Sequence, residues 1–128
     1  MDSTPRGPTV VIIEDDADLL GSLKFAFETA GFVVDAYVSA EAFLDRPPQS
    51  NRYCMVLDHR LPGMDGLSLY DRLRKRGAAP PAVIITTPNT AVARRAAEAG
   101  VPIVEKPLLG DALATQVRDM LRAASGPA

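Results

Sequence analysis

Tyr53-Cys54-Met55-Val56-Leu57-Asp58-His59-Arg60-Leu61-Pro62-Gly63-Met64-Asp65-Gly66 is the stretch on which the fold of this chain turns. Its first five residues are apolar or aromatic without a break, as in a strand buried on both faces. The run ends on a carboxylate, and Pro62, Gly63 and Gly66 then break it into a loop. Asp58 is thereby expected at the tip of a buried strand, on the rim and not in the core. In an open α/β sheet the rim at the carboxyl ends of the strands is where ligands bind. Function then depends on which other side chains reach the same rim.

Upstream, Val10-Val11-Ile12-Ile13 runs straight into Glu14-Asp15-Asp16, so a second strand ends in acid. Asp16 suits the N-cap of a helix striped by Leu20, Leu23, Phe27 and Ala30 and closed by Gly31. Phe32 to Val38 reads as a strand, Ser39 caps a short helix to about Leu44, and Pro47-Pro48-Gln49-Ser50 forms a loop. Downstream of Gly66, a helix through Leu69, Tyr70 and Leu73 ends in Arg72, Arg74, Lys75 and Arg76, cations that suit the negative end of the helix dipole. Ala82 to Thr86 is the next strand, and an alanine-rich helix from Thr90 to Ala99 closes on Gly100. Val101 to Val104 is a short fifth strand that runs through Glu105 into Lys106-Pro107. Leu109, Leu113, Val117, Met120 and Leu121 stripe the last helix before Ser125-Gly126-Pro127.

Five βα units in series require crossovers between parallel strands, and such crossovers are right-handed. The expected fold is a flavodoxin-like three-layer α/β/α sandwich, with a five-stranded parallel sheet of order 2-1-3-4-5 and five helices. Residues 1–8 are expected as a flexible tail, 9–124 as one domain, and 125–128 as a tail or the start of a linker. A chain of 128 residues, 47% hydrophobic, is enough for one domain with a real core and leaves no room for a second. A net charge of −2 leaves no basic footprint for direct nucleic acid binding. Val10 to Ile13 is far too short an apolar run for a signal peptide or a membrane span, so a cytoplasmic protein is expected. The single cysteine, Cys54, reads as a small buried hydrophobe and not as a redox group.

Strand order 2-1-3-4-5 sets the tips of strands one and three side by side at the switch point of the sheet. Glu14, Asp15 and Asp58 then meet, with Thr86 and Lys106 contributed by the tips of strands four and five. Two carboxylates about 5 Å apart repel by roughly 3 kcal/mol at an effective dielectric near 20. Mg²⁺ relieves such repulsion, takes one or two carboxylates, and leaves positions for phosphate oxygens. A carboxylate can itself attack a phosphoryl group, and the transfer relies on positioning and charge neutralisation. Asp58 is the expected acceptor, with Glu14 and Asp15 holding metal, and with Lys106 and the Thr86 hydroxyl binding phosphoryl oxygens. Singly, each residue has a structural alternative: the acids suit a helix start, Asp58 suits an Asx turn, Thr86 suits a strand end, and Lys106 suits the surface. Four strand tips carrying complementary groups favour the joint assignment.

These residues resemble the response-regulator receiver domains of bacterial two-component signalling, from about Thr9 to Ala124. Glu14-Asp15 is similar to the family's acidic pair, Leu57-Asp58 with Leu61-Pro62-Gly63-Met64-Asp65-Gly66 to its phosphoacceptor motif, Thr86 to its switch threonine, and Lys106-Pro107 to its Lys-Pro pair. Ser39-Ala40-Glu41-Ala42 resembles the second helix of receivers attached to DNA-binding regulators of the FixJ/NarL type. The resemblance implies Mg²⁺ on Glu14, Asp15, Asp58 and the backbone carbonyl of Arg60, a cis bond before Pro107, and phosphate accepted on Asp58 from a histidine kinase or phosphotransfer protein. It implies an output domain or a downstream protein as the next partner, no membrane, and a phosphorylation-dependent homodimer through helix four, strand five and helix five. Such a domain is a signalling phosphoacceptor that catalyses only its own phosphorylation and dephosphorylation.

Ile103 stands where the family carries an aromatic residue, Thr87 where a smaller residue is common, and the interval from Thr86 to Lys106 is about two residues short. The chemistry is expected to be intact and the output face atypical. The alternative function is an interaction module that binds a partner constitutively. A flavin-binding role is opposed by Glu14-Asp15-Asp16, which would repel a cofactor phosphate. A phosphatase is opposed by Arg60, which stands where a general acid would be needed. His59 is expected as a solvated neighbour and not as a second acceptor.

Overall fold

The computed structural model describes residues 7–49, 52–77, 80–106, 108 and 112–124. Strands β1 (Thr9–Ile13), β2 (Val33–Tyr37), β3 (Cys54–Asp58), β4 (Ala82–Thr86) and β5 (Ile103–Glu105) form one parallel sheet of order β2-β1-β3-β4-β5. Helices α1 (Ala17–Thr29), α2 (Ala40–Asp45), α3 (Gly66–Lys75), α4 (Thr90–Ala99) and α5 (Ala112–Ala124) alternate with the strands. The α/β/α sandwich and strand order expected from the sequence are those of the structure.

The unbroken apolar runs are explained by two cores, one on each face of the sheet. Val11, Ile13, Met55, Leu57 and Ile84 point to one face, where they meet Ala40 and Phe43 of α2, Leu67, Leu69 and Leu73 of α3, and Val92 and Ala96 of α4. Val10, Ile12, Cys54, Val56, Val83 and Ile85 point to the other, against Leu23 and Phe27 of α1 and Leu113, Ala114 and Val117 of α5. Ile12 and Leu57 are fully buried, and truncating either to Ala costs about 2–5 kcal/mol. Cys54 lies within this second core, and burial pushes its thiol up to about 12, which suits a packing role.

Local signals set the helix ends. Asp16 accepts hydrogen bonds from the N–H groups of Asp18 and Leu19, Ser39 accepts from Ala42, Asp65 from Ser68, and Asn89 from Val92. Gly100 closes α4 in the left-handed region, at φ +73°. Some boundaries differ from expectation. β2 loses Phe32 and Val38 at its ends, and β3 starts at Cys54, leaving Tyr53 half-buried before it. β5 begins at Ile103 and not at Val101, because Pro102 has no N–H to give the ladder, although its carbonyl still accepts from Ile84 N–H. Ser50, Pro107, Leu109 and the 125–128 segment lie outside the described residues, and with them the expected cis bond. No helix among the described residues is long and apolar enough to cross a membrane.

Candidate functional site

Backbone pairing sets the site. Ile13 pairs with Leu57, so the next residues of the two strands, Glu14 and Asp58, emerge side by side. Asp58 pairs with Ile85, and the ladder continues past the strand ends through His59 N–H to Ile85 O at 2.9 Å and Lys106 N–H to Thr86 O at 2.9 Å. Four strand tips therefore share one rim. A carboxylate oxygen each from Glu14, Asp15 and Asp58 lies within 4.8 Å of the other two. Lys106 Nζ reaches Asp58 Oδ2 at 3.3 Å.

Asp58 is at the strand tip as expected, but it is buried, only 4% exposed. Its Oδ1 accepts the Arg60 N–H at 3.1 Å. The Asx turn leaves the second oxygen available, one oxygen bracing the loop and the other facing Lys106. Gly66 packs under this turn: a Cβ there would lie 2.6 Å from Asp58 O, so the loop closes this tightly only with glycine at that position.

Glu14 is 1% exposed. Burial first, and the adjacent Asp58 carboxyl second, push it from the ordinary 4.5 up to about 8. Its Oε2 accepts from Asp16 N–H at 3.0 Å, while Oε1 is buried with no hydrogen-bond partner among the described residues. A proton on Glu14 or a cation in the cluster satisfies that oxygen. Asp15 is exposed at the mouth, where a hydrated ion can enter. This set of hard oxygen donors fits a small divalent cation, with the unpaired Glu14 oxygen as the structural sign of that fit.

Thr86 ends β4 on the same rim but does not direct its hydroxyl there, since Oγ1 donates to Thr87 O at 2.9 Å. Service to a phosphoryl oxygen requires rotation away from that bond. Arg60 is exposed, two residues beyond Asp58. His59 departs from expectation: it is half-buried and its Nδ1 is shielded with no partner among the described residues, so the ring is not freely solvated.

Two contacts escaped the sequence reading. Asp65, the α3 N-cap, places Oδ2 3.5 Å from Arg95 Nη1 on α4. Burial alone would raise the Asp65 carboxyl, but the Ser68 N–H and hydroxyl and the Arg95 charge outweigh it and hold the carboxyl below its usual range. Glu41 of α2 accepts the Met64 N–H at 3.1 Å across 23 residues of sequence. Neither partner choice has a local signal, because each joins separate elements.

The response regulator receiver domain family matches residues 10–118. The transcriptional regulatory protein FixJ of Bradyrhizobium diazoefficiens is 35% identical over 117 residues, covering 90% of this chain and 57% of FixJ. TctD of Salmonella typhimurium is 36% identical over 121 residues, covering 91% of this chain and 53% of TctD. The crystal structure of full-length FixJ from B. japonicum superposes with a TM-score of 0.85 at 33% identity, covering 96% of this chain and 61% of that one. The chain thus spans little more than half the length of these relatives. With its sheet order, its rim of acids and this match over most of its length, the chain belongs to the response regulator receiver domain family.

Proposed function

We propose that Asp58 accepts a phosphoryl group, in a Mg²⁺-dependent reaction, from a histidine kinase or phosphotransfer protein in the cytoplasm. The observation that carries this is the three-carboxylate cluster, with Lys106 Nζ 3.3 Å from Asp58 Oδ2 and a buried Glu14 oxygen left without a partner. Bound Mg²⁺ supplies charge neutralisation toward the incoming phosphoryl oxygens. Glu14, Asp15, Asp58 and the Arg60 carbonyl are the groups that hold it.

The chain's own residues account for the rest. An Asp58 oxygen attacks phosphorus in line as the bond to the donor nitrogen or oxygen breaks, and the leaving group keeps that electron pair. Lys106 passes from pairing Asp58 to pairing the arriving phosphoryl oxygens, so its charge is in place before the reaction. Thr86, rotated from the Thr87 carbonyl, donates to another of those oxygens. The only reactions catalysed are the domain's own phosphorylation and dephosphorylation. The named relatives FixJ and TctD are transcriptional regulatory proteins, which supports an output domain or downstream protein as the receiver of the signal, with phosphorylation-dependent homodimerisation through α4, β5 and α5 as one route.

Intact mass after incubation with Mg²⁺ and a small acyl phosphate tests the proposal. One added phosphoryl group is expected, absent without Mg²⁺ and absent in Asp58→Ala. A folded protein that binds Mg²⁺ and gains no mass overturns it in favour of constitutive partner binding.

A further inference from the structure

The loop between Asp58 and α3 must hold its backbone in one shape if the Arg60 carbonyl is to serve the cation. Three anchors are internal to that unit: Arg60 N–H on Asp58 Oδ1 at 3.1 Å, Gly66 N–H on His59 O at 3.1 Å, and the buried Leu61 side chain. They leave the backbone at Gly63 and Met64 to be held from outside, the Met64 side chain packing against the first core. Glu41 does this, with Oε2 3.1 Å from Met64 N. Gly63 makes room for it, since it sits at φ +74° and a Cβ there would lie 2.6 Å from the same Glu41 oxygen. Carboxylate and glycine are thus fitted to each other across two elements.

Glu41 has a simpler local explanation, as an acid in the first turn of α2 beside the positive end of the helix dipole. It is not the reciprocal member of a capping box, because Ser39 is the N-cap and the third helical position is Ala42. A dipole role leaves the direction of the side chain open, whereas this carboxylate is spent on an N–H from the acceptor loop. The bond is directional, so its geometry constrains the turn.

We infer that Glu41 is a positioning residue for the phosphoacceptor site, clamping the Gly63-Met64 turn so that the Arg60 carbonyl faces the cation held by the three acids. The inference rests on the function proposed above for that site. Because Glu41 and Met64 N meet at the surface, while Ala40, Phe43 and Leu61 are buried in the first core and Met64 packs against it, breaking the contact loosens the loop backbone without opening that core. Loop order and cation affinity are therefore the properties that Glu41 controls, and global stability is not.

The test compares Glu41→Ala, Glu41→Gln and Gly63→Ala with the parent. Mg²⁺ affinity is measured by titration calorimetry, Met64 amide exchange by NMR, thermal midpoint by circular dichroism, and phosphoryl uptake by intact mass. Glu41→Ala is expected to weaken Mg²⁺ binding roughly tenfold, the usual scale for losing a group that orients a metal ligand, to speed exchange at Met64, and to leave the midpoint nearly unchanged. Glu41→Gln keeps an acceptor oxygen without the charge and is expected to stay within about twofold of the parent. In Gly63→Ala the contact is already displaced, so adding Glu41→Ala should cost little more, as expected of partners in one interaction. Unchanged Mg²⁺ affinity in Glu41→Ala overturns the inference, and so does a Glu41→Gln as impaired as Glu41→Ala, which would assign the residue to the helix dipole. A parent that binds Mg²⁺ but takes no phosphoryl group overturns the proposed function and leaves the Glu41 clamp to be decided by cation affinity and exchange. A parent that binds no Mg²⁺ overturns both.

Discussion

Lys106 Nζ lies 3.3 Å from Asp58 Oδ2, although the two residues are 48 apart in sequence and their strands are separated by β4. Under the proposed function, the ammonium occupies the place opposite the Asp58 oxygen that an incoming phosphoryl group must share. A cation so placed opposes Mg²⁺ at the acids and favours phosphoryl transfer. Lys106→Ala should therefore move the two measurements in opposite directions. Mg²⁺ binding tightens severalfold, since one positive charge leaves the cluster. Phosphoryl uptake slows by about a hundredfold, the scale of losing one preorganised group that stabilises transition-state charge. Time-resolved intact mass and Mg²⁺ titration check this, and a parallel fall in both would show that Lys106 only holds Asp58 in place.

Glu14 imposes a pH dependence on the metal-free protein. Its carboxyl is raised from 4.5 to about 8 by burial and by Asp58, so between those values the folded state keeps a proton that the unfolded chain releases. Folding then binds more protons, and stability falls as pH rises through that window. The slope is at most about 1.4 kcal/mol per pH unit for one proton. Urea midpoints from pH 5 to 8 without metal should decline in the parent, and Glu14→Gln should remove that part of the decline. Equal slopes in the two proteins would rule out Glu14 as its source.

Arg60 is exposed beside the acceptor, with its N–H already committed to Asp58 Oδ1. Under the proposed function, this exposed side chain covers the aspartyl phosphate without disturbing the turn. Arg60→Ala keeps the backbone contacts and uncovers the phosphate, and it should lose phosphate severalfold faster than the parent. Matching half-lives after donor removal would sink the idea.

Arg118 ties α5 to the far end of α1. Nη2 donates to Ala30 O at 2.9 Å, and the guanidinium sits 5.2 Å from the centroid of the Phe32 ring. The last turn of α1 has no basic residue of its own, so this contact supplies the positive charge favoured at a helix C-terminus. Arg118→Ala loses one charge-assisted hydrogen bond and one cation–π contact, together about 2 kcal/mol. The expected fall in thermal midpoint is about 8 °C for a domain of this size, with phosphoryl uptake unchanged. A fall in uptake at temperatures where the variant is fully folded would tie Arg118 to the site.

Much of the fold is legible because burial on both faces of a parallel sheet demands unbroken apolar strands, and the turn and capping residues between them are local signals. Val10 to Ile13, Cys54 to Leu57 and Ala82 to Ile85 announce themselves in this way. The strand tips are legible for the same reason, since an apolar run that ends in Glu14-Asp15 or Asp58 has only the rim to deliver them to. Boundaries were less so: Pro102 shortened β5, and Phe32, read as strand, instead packs its ring edge-on against Phe27 at 5.1 Å.

What the amino-acid sequence determined by itself was the set of strands, their order by topological rule, and the chemical types gathered at their ends. Tertiary structure alone decided how those groups are used. It buried Asp58 and Glu14, turned the Thr86 hydroxyl onto Thr87 O, shielded His59 Nδ1, and set Glu41 on Met64 N. The contacts of Glu41, Lys106 and Arg118 join residues 23, 48 and 88 apart. Such pairings depend on which elements become neighbours once both cores are packed, whereas periodicity, capping and turn chemistry act within a few residues.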